Sequence, residues 1–326
     1  MRIVVDAMGG DHSPKAQVAG AMAAVQAFKD IEITLVGSEP QIKKHLSKTE
    51  RIDILHTDEV IDGDESPTKA IRRKKQSSMV LSVQEVKEGR AAAGISCGNT
   101  GAFMTAGLLH IGRIHGVERP ALAPTLPTVD GSGFLLLDAG ANMDAKATHL
   151  YQHAILGSTY MQLVRGVESP RVGLVNIGTE KGKGNNLMKE TYEMLEHAPV
   201  NFVGNVESRD LLDGVCDVAV CDGFSGNLVL KSIEGTASTL FSLLKKEFMA
   251  SLRTKLAAAM MKTGLMHLRE KMNYSNHGGA TLVGLQAPLI KCHGSSDHIS
   301  VYHSIRQARQ MAQENVTHLM QKHLEE

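Results

Sequence analysis

The sequence predicts an α/β protein, a mainly parallel sheet with helices on both faces. Three observations predict it. Short β-branched runs, most of them apolar throughout, alternate with amphipathic stretches, and strands buried on both faces read this way. The alternation spells successive βαβ units. Polar, glycine-bearing segments then follow the strands, at the end of an open α/β sheet where ligands bind.

The elements follow in order. A first strand, Arg2–Asp6, runs into the glycine turn DAMGGDHSP (residues 6–14), which does not read as a signal peptide. Residues 14–28 read as a helix, and Glu32–Gly37 and 51–56 as the next strands. A helix over 77–89 precedes a strand over 92–96 that ends in CGNTG (97–101). The proline-rich stretch 118–127 reads as an irregular crossover. The strand 134–138 ends in AGAN (139–142), and 171–177 opens IGTEKGKGN (177–185). A helix over 187–197 and strands over 200–204 and 217–221 follow, the last ending in GFSGN (223–227). The segment 277–297 is rich in glycine and small polar residues; it either lines the same cleft or forms a packed corner. A terminal amphipathic helix spans 300–323. No repeat or linker interrupts the chain, so residues 1–326 are expected to form a single α/β catalytic unit.

Composition narrows the function classes. Lys plus Arg and Asp plus Glu both number 35, so no global basic field argues for nucleic acid. There is no Trp, which disfavours base-stacking platforms. Cys97, Cys216, Cys221 and Cys292 form no C-x-x-C pair, as expected for a reduced cytosolic protein with incidental thiols. His12, His293 and His298 have no metal-ligand spacing, so no metal and no cofactor are expected. No apolar run reaches transmembrane length, so any meeting with a membrane is from its surface.

The loops carry the candidate chemistry. Each sets small residues and amide donors before a helix, whose free N–H groups make an anion site. Gly98, Asn99 and Thr100 open one helix; Asn99 and Thr100 either cap it or donate to a phosphate oxygen. Gly140 and Asn142 follow another strand beside Asp138. Gly178, Lys181, Lys183 and Asn185 add two cations, without Walker A or G-x-G-x-x-G spacing. Asp222, Ser225 and Asn227 form a polar group in DGFSGN, which is not the G-x-S-x-G elbow. Strand-end Asp6, Asp138 and Asp222 are either functional carboxylates or turn caps. Cys97 beside the anion loop is expected to be a small buried residue rather than an acyl-thioester nucleophile.

Within residues 250–275 a cationic amphipathic helix is expected to protrude. Leu256, Met260, Leu265, Leu268 and Met272 share a face, rimmed by Arg253, Lys255, Lys262, Arg269 and Lys271. This fits either an interfacial membrane helix or a helix docked on the domain or on a second subunit.

VDAMGGDHSP, ISCGNTGA, RPALAPTLP, FLLLDAGAN, VGLVNIGTEKGKGN, CDGFSGN and GGATLVGLQAPLIKCHGSSD occur in this order. The succession resembles the bacterial acyl-acyl-carrier-protein:phosphate acyltransferases of phospholipid synthesis, and it covers essentially the whole chain. Cys97 departs from the pattern, where a small residue such as Ala or Ser is expected. The resemblance implies an isocitrate/isopropylmalate dehydrogenase-like fold, shared with phosphotransacetylases, and a homodimer. It implies acyl transfer from acyl carrier protein to inorganic phosphate. It further implies a cytoplasmic enzyme peripherally bound to the membrane surface, whose acyl phosphate passes to a membrane glycerol-3-phosphate acyltransferase. On that reaction, Asp222, Ser225, Asn227 and Lys181 are the candidate catalytic residues. Gly98, Asn99, Thr100, Gly140, Asn142, Gly178, Lys183 and Asn185 are the candidates for holding phosphate and substrate. Leu256, Met260, Leu265 and Leu268 are the candidates for membrane contact.

Overall fold

A computed structural model describes residues 1–47, 50–271 and 278–325. Strands and helices are numbered in chain order. One sheet contains β1 (Arg2–Asp6), β2 (Glu32–Gly37), β3 (Ile52–His56), β4 (Ala93–Ser96), β5 (Ala121–Ala123), β11 (Ala280–Val283) and β12 (Leu289–Lys291), in the order β3-β2-β1-β4-β12-β11-β5. The second contains β6 (Thr125–Leu126), β7 (Phe134–Leu137), β8 (Arg171–Asn176), β9 (Asn201–Glu207) and β10 (Val218–Val220), in the order β6-β7-β10-β8-β9. The eight expected strands are all present, and most of their pairings are parallel. β1, β4 and β7 are buried almost throughout, as their unbroken apolar runs require, while β3 and β9, at the sheet edges, are only partly buried.

Four further strands lie where periodicity is silent. β5 and β6 sit inside the proline-rich stretch, on either side of Pro124. β5 pairs antiparallel with β11 in the first sheet, and β6 pairs antiparallel with β7 in the second. This crossover therefore stitches the two sheets together. β11 and β12 form an antiparallel pair from the glycine-rich segment, and β12 continues the sheet parallel to β4.

The helices are α1 (Lys15–Ala27), α2 (Glu39–Lys43), α3 (Pro67–Arg73), α4 (Ser78–Lys87), α5 (Thr100–Ala106), α6 (Ala147–Arg165), α7 (Asn186–Leu195), α8 (Gly223–Phe248), α9 (Leu252–Met260), α10 (Lys262–Lys271), α11 (His298–Gln313) and α12 (Val316–Glu325). A single buried cluster joins Ile3, Ile33 and Ile95 of the first sheet to Leu135, Val172 and Val218 of the second. Leu150 and Ala154 of α6 and Val301 and Ile305 of α11 complete it.

Two expectations are corrected. The terminal helix is two helices, because Asn315 takes a left-handed φ of 51°. Asparagine is among the few residues that adopt this conformation readily. The cationic segment is likewise two helices, α9 and α10, following the long α8. Ser251 starts α9 afresh by accepting the Thr254 N–H at 3.1 Å. Met272 lies outside the described residues. No described helix is long and apolar enough to cross a membrane.

Candidate active site

The carboxyl ends of the strands build the site from both sheets. After β1, Asp6 is buried and accepts the Ser96 hydroxyl at 2.6 Å and the Met8 N–H at 3.2 Å. Burial pushes its carboxyl above the usual range, against the pull of hydrogen bonds from Ser78 and Ser96. The loops after β1 and β4 meet backbone to backbone. A Cβ on Gly9 would lie 2.6 Å from the Gly98 nitrogen, so only glycine fits there. Gly98 donates its N–H to Ser96 at 3.0 Å. Asn99 caps α5 by accepting the Ala102 N–H at 2.9 Å, and its amide donates to the carbonyls of Gly63 and Glu65, each at 3.0 Å. Thr100 follows at the start of α5.

After β7, Asp138 is fully buried and organises its loop. Its carboxylate accepts the N–H groups of Leu122 (3.0 Å), Gly140 (3.2 Å), Ala141 (2.9 Å) and Asn142 (2.7 Å). The Asn142 side chain donates to Asp138 at 2.9 Å and to the Pro120 carbonyl at 2.8 Å. After β10, Asp222 caps α8: it accepts the Ser225 N–H at 2.9 Å and the Ser225 hydroxyl at 2.7 Å. The first turn of α8 then presses on the end of β7, and Asn227 points its face toward Gly140, whose Cβ position would lie 3.6 Å from Asn227 Cβ.

Between these loops lies a cavity of about 330 Å³. Thr100, Gly140 and Asn227 line it, so three of the expected site residues come together here. Gly98 and Asn99 support the loop behind Thr100, and Asn142, Asp222 and Ser225 hold the loops that carry Gly140 and Asn227. The IGTEKGKGN loop lies elsewhere, because β8 is separated from β7 by β10. Lys181 pairs with Glu196 at 2.5 Å and sits 5.4 Å above the Tyr192 ring. Lys183 is 3.8 Å from Glu180, and Asn185 caps α7 through the Met188 N–H at 3.0 Å. A Cβ on Gly178 would meet Glu180 at 2.8 Å. None of these four residues lines the cavity.

The far wall takes one of the two placements the sequence left open for residues 277–297, that of lining the cleft, although none of its residues was among the expected site residues. It comes from the glycine-rich segment, through Lys291, Cys292, His293 and Ser296, and from Ser300 and Ser304 of α11. The β12 strand brings Lys291 beside Ser96 of β4. The signal available was a lone charge, Lys291, ending the apolar run APLI before a Gly-Ser-Ser-Asp turn. Cys97 is buried in contact with Cys292. That neighbouring thiol and burial push its own thiol well above the usual range, which disfavours a nucleophilic thiolate.

Away from the cavity, only Gly223 and Gly226 of α8 are buried, and apolar side chains remain exposed along α8 to α10. Leu256 is 66% exposed, Met260 82% and Leu268 46%, while Leu265 is half-buried.

Comparison with known proteins follows the same lines. A family model described as fatty acid synthesis protein matches residues 1–319. A phosphate acyltransferase of Bacillus cereus (strain G9842) is 60% identical over 316 residues, covering 97% of this chain and 96% of the relative. A phosphate acyltransferase of Bacillus thuringiensis (strain Al Hakam) matches to the same extent, 60% over 316 residues. Among solved structures, a phosphotransacetylase from Streptococcus pyogenes superposes with a TM-score of 0.62 at 16% identity, over 96% of this chain and 94% of that one. A branched-chain phosphotransacylase from Enterococcus faecalis V583 gives 0.62 at 16%, over 96% and 99%. These two share the fold. The sequence matches run through every loop of the cavity, and the chain belongs to the phosphate acyltransferase family of fatty acid synthesis proteins.

Proposed function

We propose that this acyltransferase moves a fatty acyl group from acyl carrier protein to inorganic phosphate. The supporting observation is a small cavity of mixed apolar and polar lining, at the strand ends of two sheets, reached by the first turns of α5 and α8 and holding no activated nucleophile. Such a site suits direct displacement. A phosphate oxygen attacks the thioester carbonyl carbon, a C–O bond forms, the C–S bond breaks, and the carrier's thiol leaves with the proton that phosphate gives up. Positioning a hydrated, weakly nucleophilic phosphate against the thioester contributes on the order of 7–11 kcal/mol in well-oriented systems. Asn227 is the donor best placed for the oxyanion that builds on the carbonyl, with the loop of Gly140 opposite. Asp222, Ser225 and Asn142 serve this reading by holding the loops, and Thr100 by facing the phosphate.

The whole chain works in this reading as one catalytic unit and as a homodimer in the cytoplasm. Leu256, Met260, Leu265 and Leu268 dock it peripherally on the membrane, near the glycerol-3-phosphate acyltransferase that takes the product. The test is to supply phosphate with acyl carrier protein or coenzyme A thioesters of one fatty acid and to capture acyl phosphate as the hydroxamate. Faster formation from the carrier thioester is expected. Absence of acyl phosphate, or a preference for coenzyme A, overturns the assignment. An acylated protein trapped from labelled carrier thioester without phosphate overturns direct displacement alone.

A further inference from the structure

Lys291 is 7% exposed, and among the described residues it is the only fully buried lysine or arginine. Taking an ammonium out of water is costly unless an anion and hydrogen bonds compensate it. Here the compensation from the protein is incomplete. One N–H donates to the Cys292 carbonyl. An ammonium has three donors, and no carboxylate of the described residues lies within ion-pairing distance of it. The neighbouring Asp6 is already engaged by Ser96 and the Met8 N–H, and burial favours its neutral form.

The same wall carries further donors. Ser296 is buried, and Thr100 lines the same cavity; neither hydroxyl hydrogen-bonds another described residue. An uncompensated buried cation with two free hydroxyls on one cavity is a recognition surface for an oxyanion.

Resting on the acyl-transfer reading and deepening it, we propose that Lys291 is the residue that anchors the attacking inorganic phosphate, with Thr100 and Ser296 donating to its remaining oxygens. The phosphodiester of the carrier's pantetheine arm has the same chemistry. It sits at the far end of that arm from the thioester, however, whereas Lys291 lines the same cavity as Asn227 and Gly140, where the acyl transfer is placed. Burial lowers the ammonium's pKa from the ordinary lysine value, so a bound dianion also serves to keep the group charged.

Lys291→Met removes the charge and keeps the stem. It is expected to raise the KM for phosphate roughly 10- to 100-fold, the effect of losing a hydrogen-bonded charge. The KM for the carrier thioester stays within about threefold, and the melting temperature does not fall, since the substitution also removes a buried charge. The rise in melting temperature that phosphate gives the wild-type protein is lost in the variant. A folded Lys291→Met protein with unchanged phosphate KM and an unchanged phosphate-induced shift overturns the assignment. A rise confined to the carrier thioester's KM overturns it too, and gives the site to the carrier's phosphodiester. Should Lys291→Met not fold, the double variant Thr100→Val, Ser296→Ala decides: the phosphate KM rises several-fold if these hydroxyls hold phosphate, and an unchanged KM refutes the site. Wild-type protein that makes no acyl phosphate brings down the acyl-transfer reading and this inference together. Wild-type protein that does, beside an unaffected Lys291→Met, brings down this inference alone.

Discussion

Gly226→Ala tests whether the start of α8 is pinned against β7 as described. Alanine in a helix interior is favoured over glycine by about 0.5–1 kcal/mol, so propensity alone predicts stabilisation. The packing predicts the opposite. A Cβ at Gly226 would lie 1.9 Å from the Asp138 carbonyl oxygen and 2.8 Å from the Cys221 sulfur. Ordinary contact begins near 3.4 Å, leaving the carbonyl contact short by about 1.5 Å. The carbonyl cannot retreat easily, because four backbone N–H groups hold the Asp138 carboxylate and Cys221 N–H and O bracket its strand. The helix must therefore move. Overpacking of this kind costs typically about 1–3 kcal/mol, which exceeds the propensity gain. Asn227 moves with the helix, and misplacement near 1 Å can cost about 100-fold in rate. Denaturant midpoints and turnover of acyl thioester with phosphate measure both effects. Gly235→Ala is the internal control: it lies in the same helix with nothing within 4 Å, and should stabilise slightly. If Gly226→Ala matches Gly235→Ala in stability and keeps wild-type turnover, the close approach is wrong.

Asn227→Ala should lower kcat about 100- to 1000-fold if its amide serves the oxyanion. Ser225→Ala, which loses only the hydrogen bond to Asp222, should cost about 1 kcal/mol of stability with turnover nearly intact; steady-state kinetics beside urea melts separate the two. Lys181→Ala should change stability by less than about 1 kcal/mol and leave both KM values in place, since its ion pair with Glu196 is exposed and off the cavity; a large rise in phosphate KM refutes that placement. Asp6→Asn should change the pH dependence of stability. The folded Asp6 carboxyl titrates above its ordinary 3.8, so its favourable share is full below that value and is lost as pH rises through the folded value. The wild-type advantage over Asp6→Asn should therefore shrink as pH rises above the ordinary carboxyl value in thermal melts; an advantage that grows with pH refutes burial as the controlling cause.

Much of the scaffold was legible because its causes are local. The eight strands, most of them unbroken apolar runs, were readable, and capping by Asn99 and Asp222 was legible as one of two readings, since both signals depend on neighbours in sequence; Asn185, read for substrate, caps α7 instead. β5, β6, β11 and β12 were not. Each is two to four residues long, and β5, β11 and β12 find partners far along the chain, as Leu122 does with Leu282, while β6 pairs with the next strand, β7. Strand order was equally hidden, and strand order decides which loops meet. It separates the lysine-bearing loop after β8 from the cavity and delivers Lys291 beside Ser96.

The polar residues of the loops divide into two groups by what they already hold. Asn99, Asp138, Asn142 and Asp222 have their side-chain atoms committed to backbone groups or to one another. Thr100, Asn227, Ser296 and Lys291 line the cavity with donors the protein leaves largely unspent. The first group accounts for the second. Loops rich in glycine would wander, and a donor on a wandering loop gains little from pointing at a substrate. Asn99 fixes the loop beside Thr100, Asp138 and Asn142 fix the loop of Gly140 that faces Asn227, and Asp222 caps the helix that carries Asn227 five residues on. Removing a member of the first group should therefore resemble a diffuse loss of order, lowering stability and rate together. Removing a member of the second should alter one kinetic constant and spare the fold.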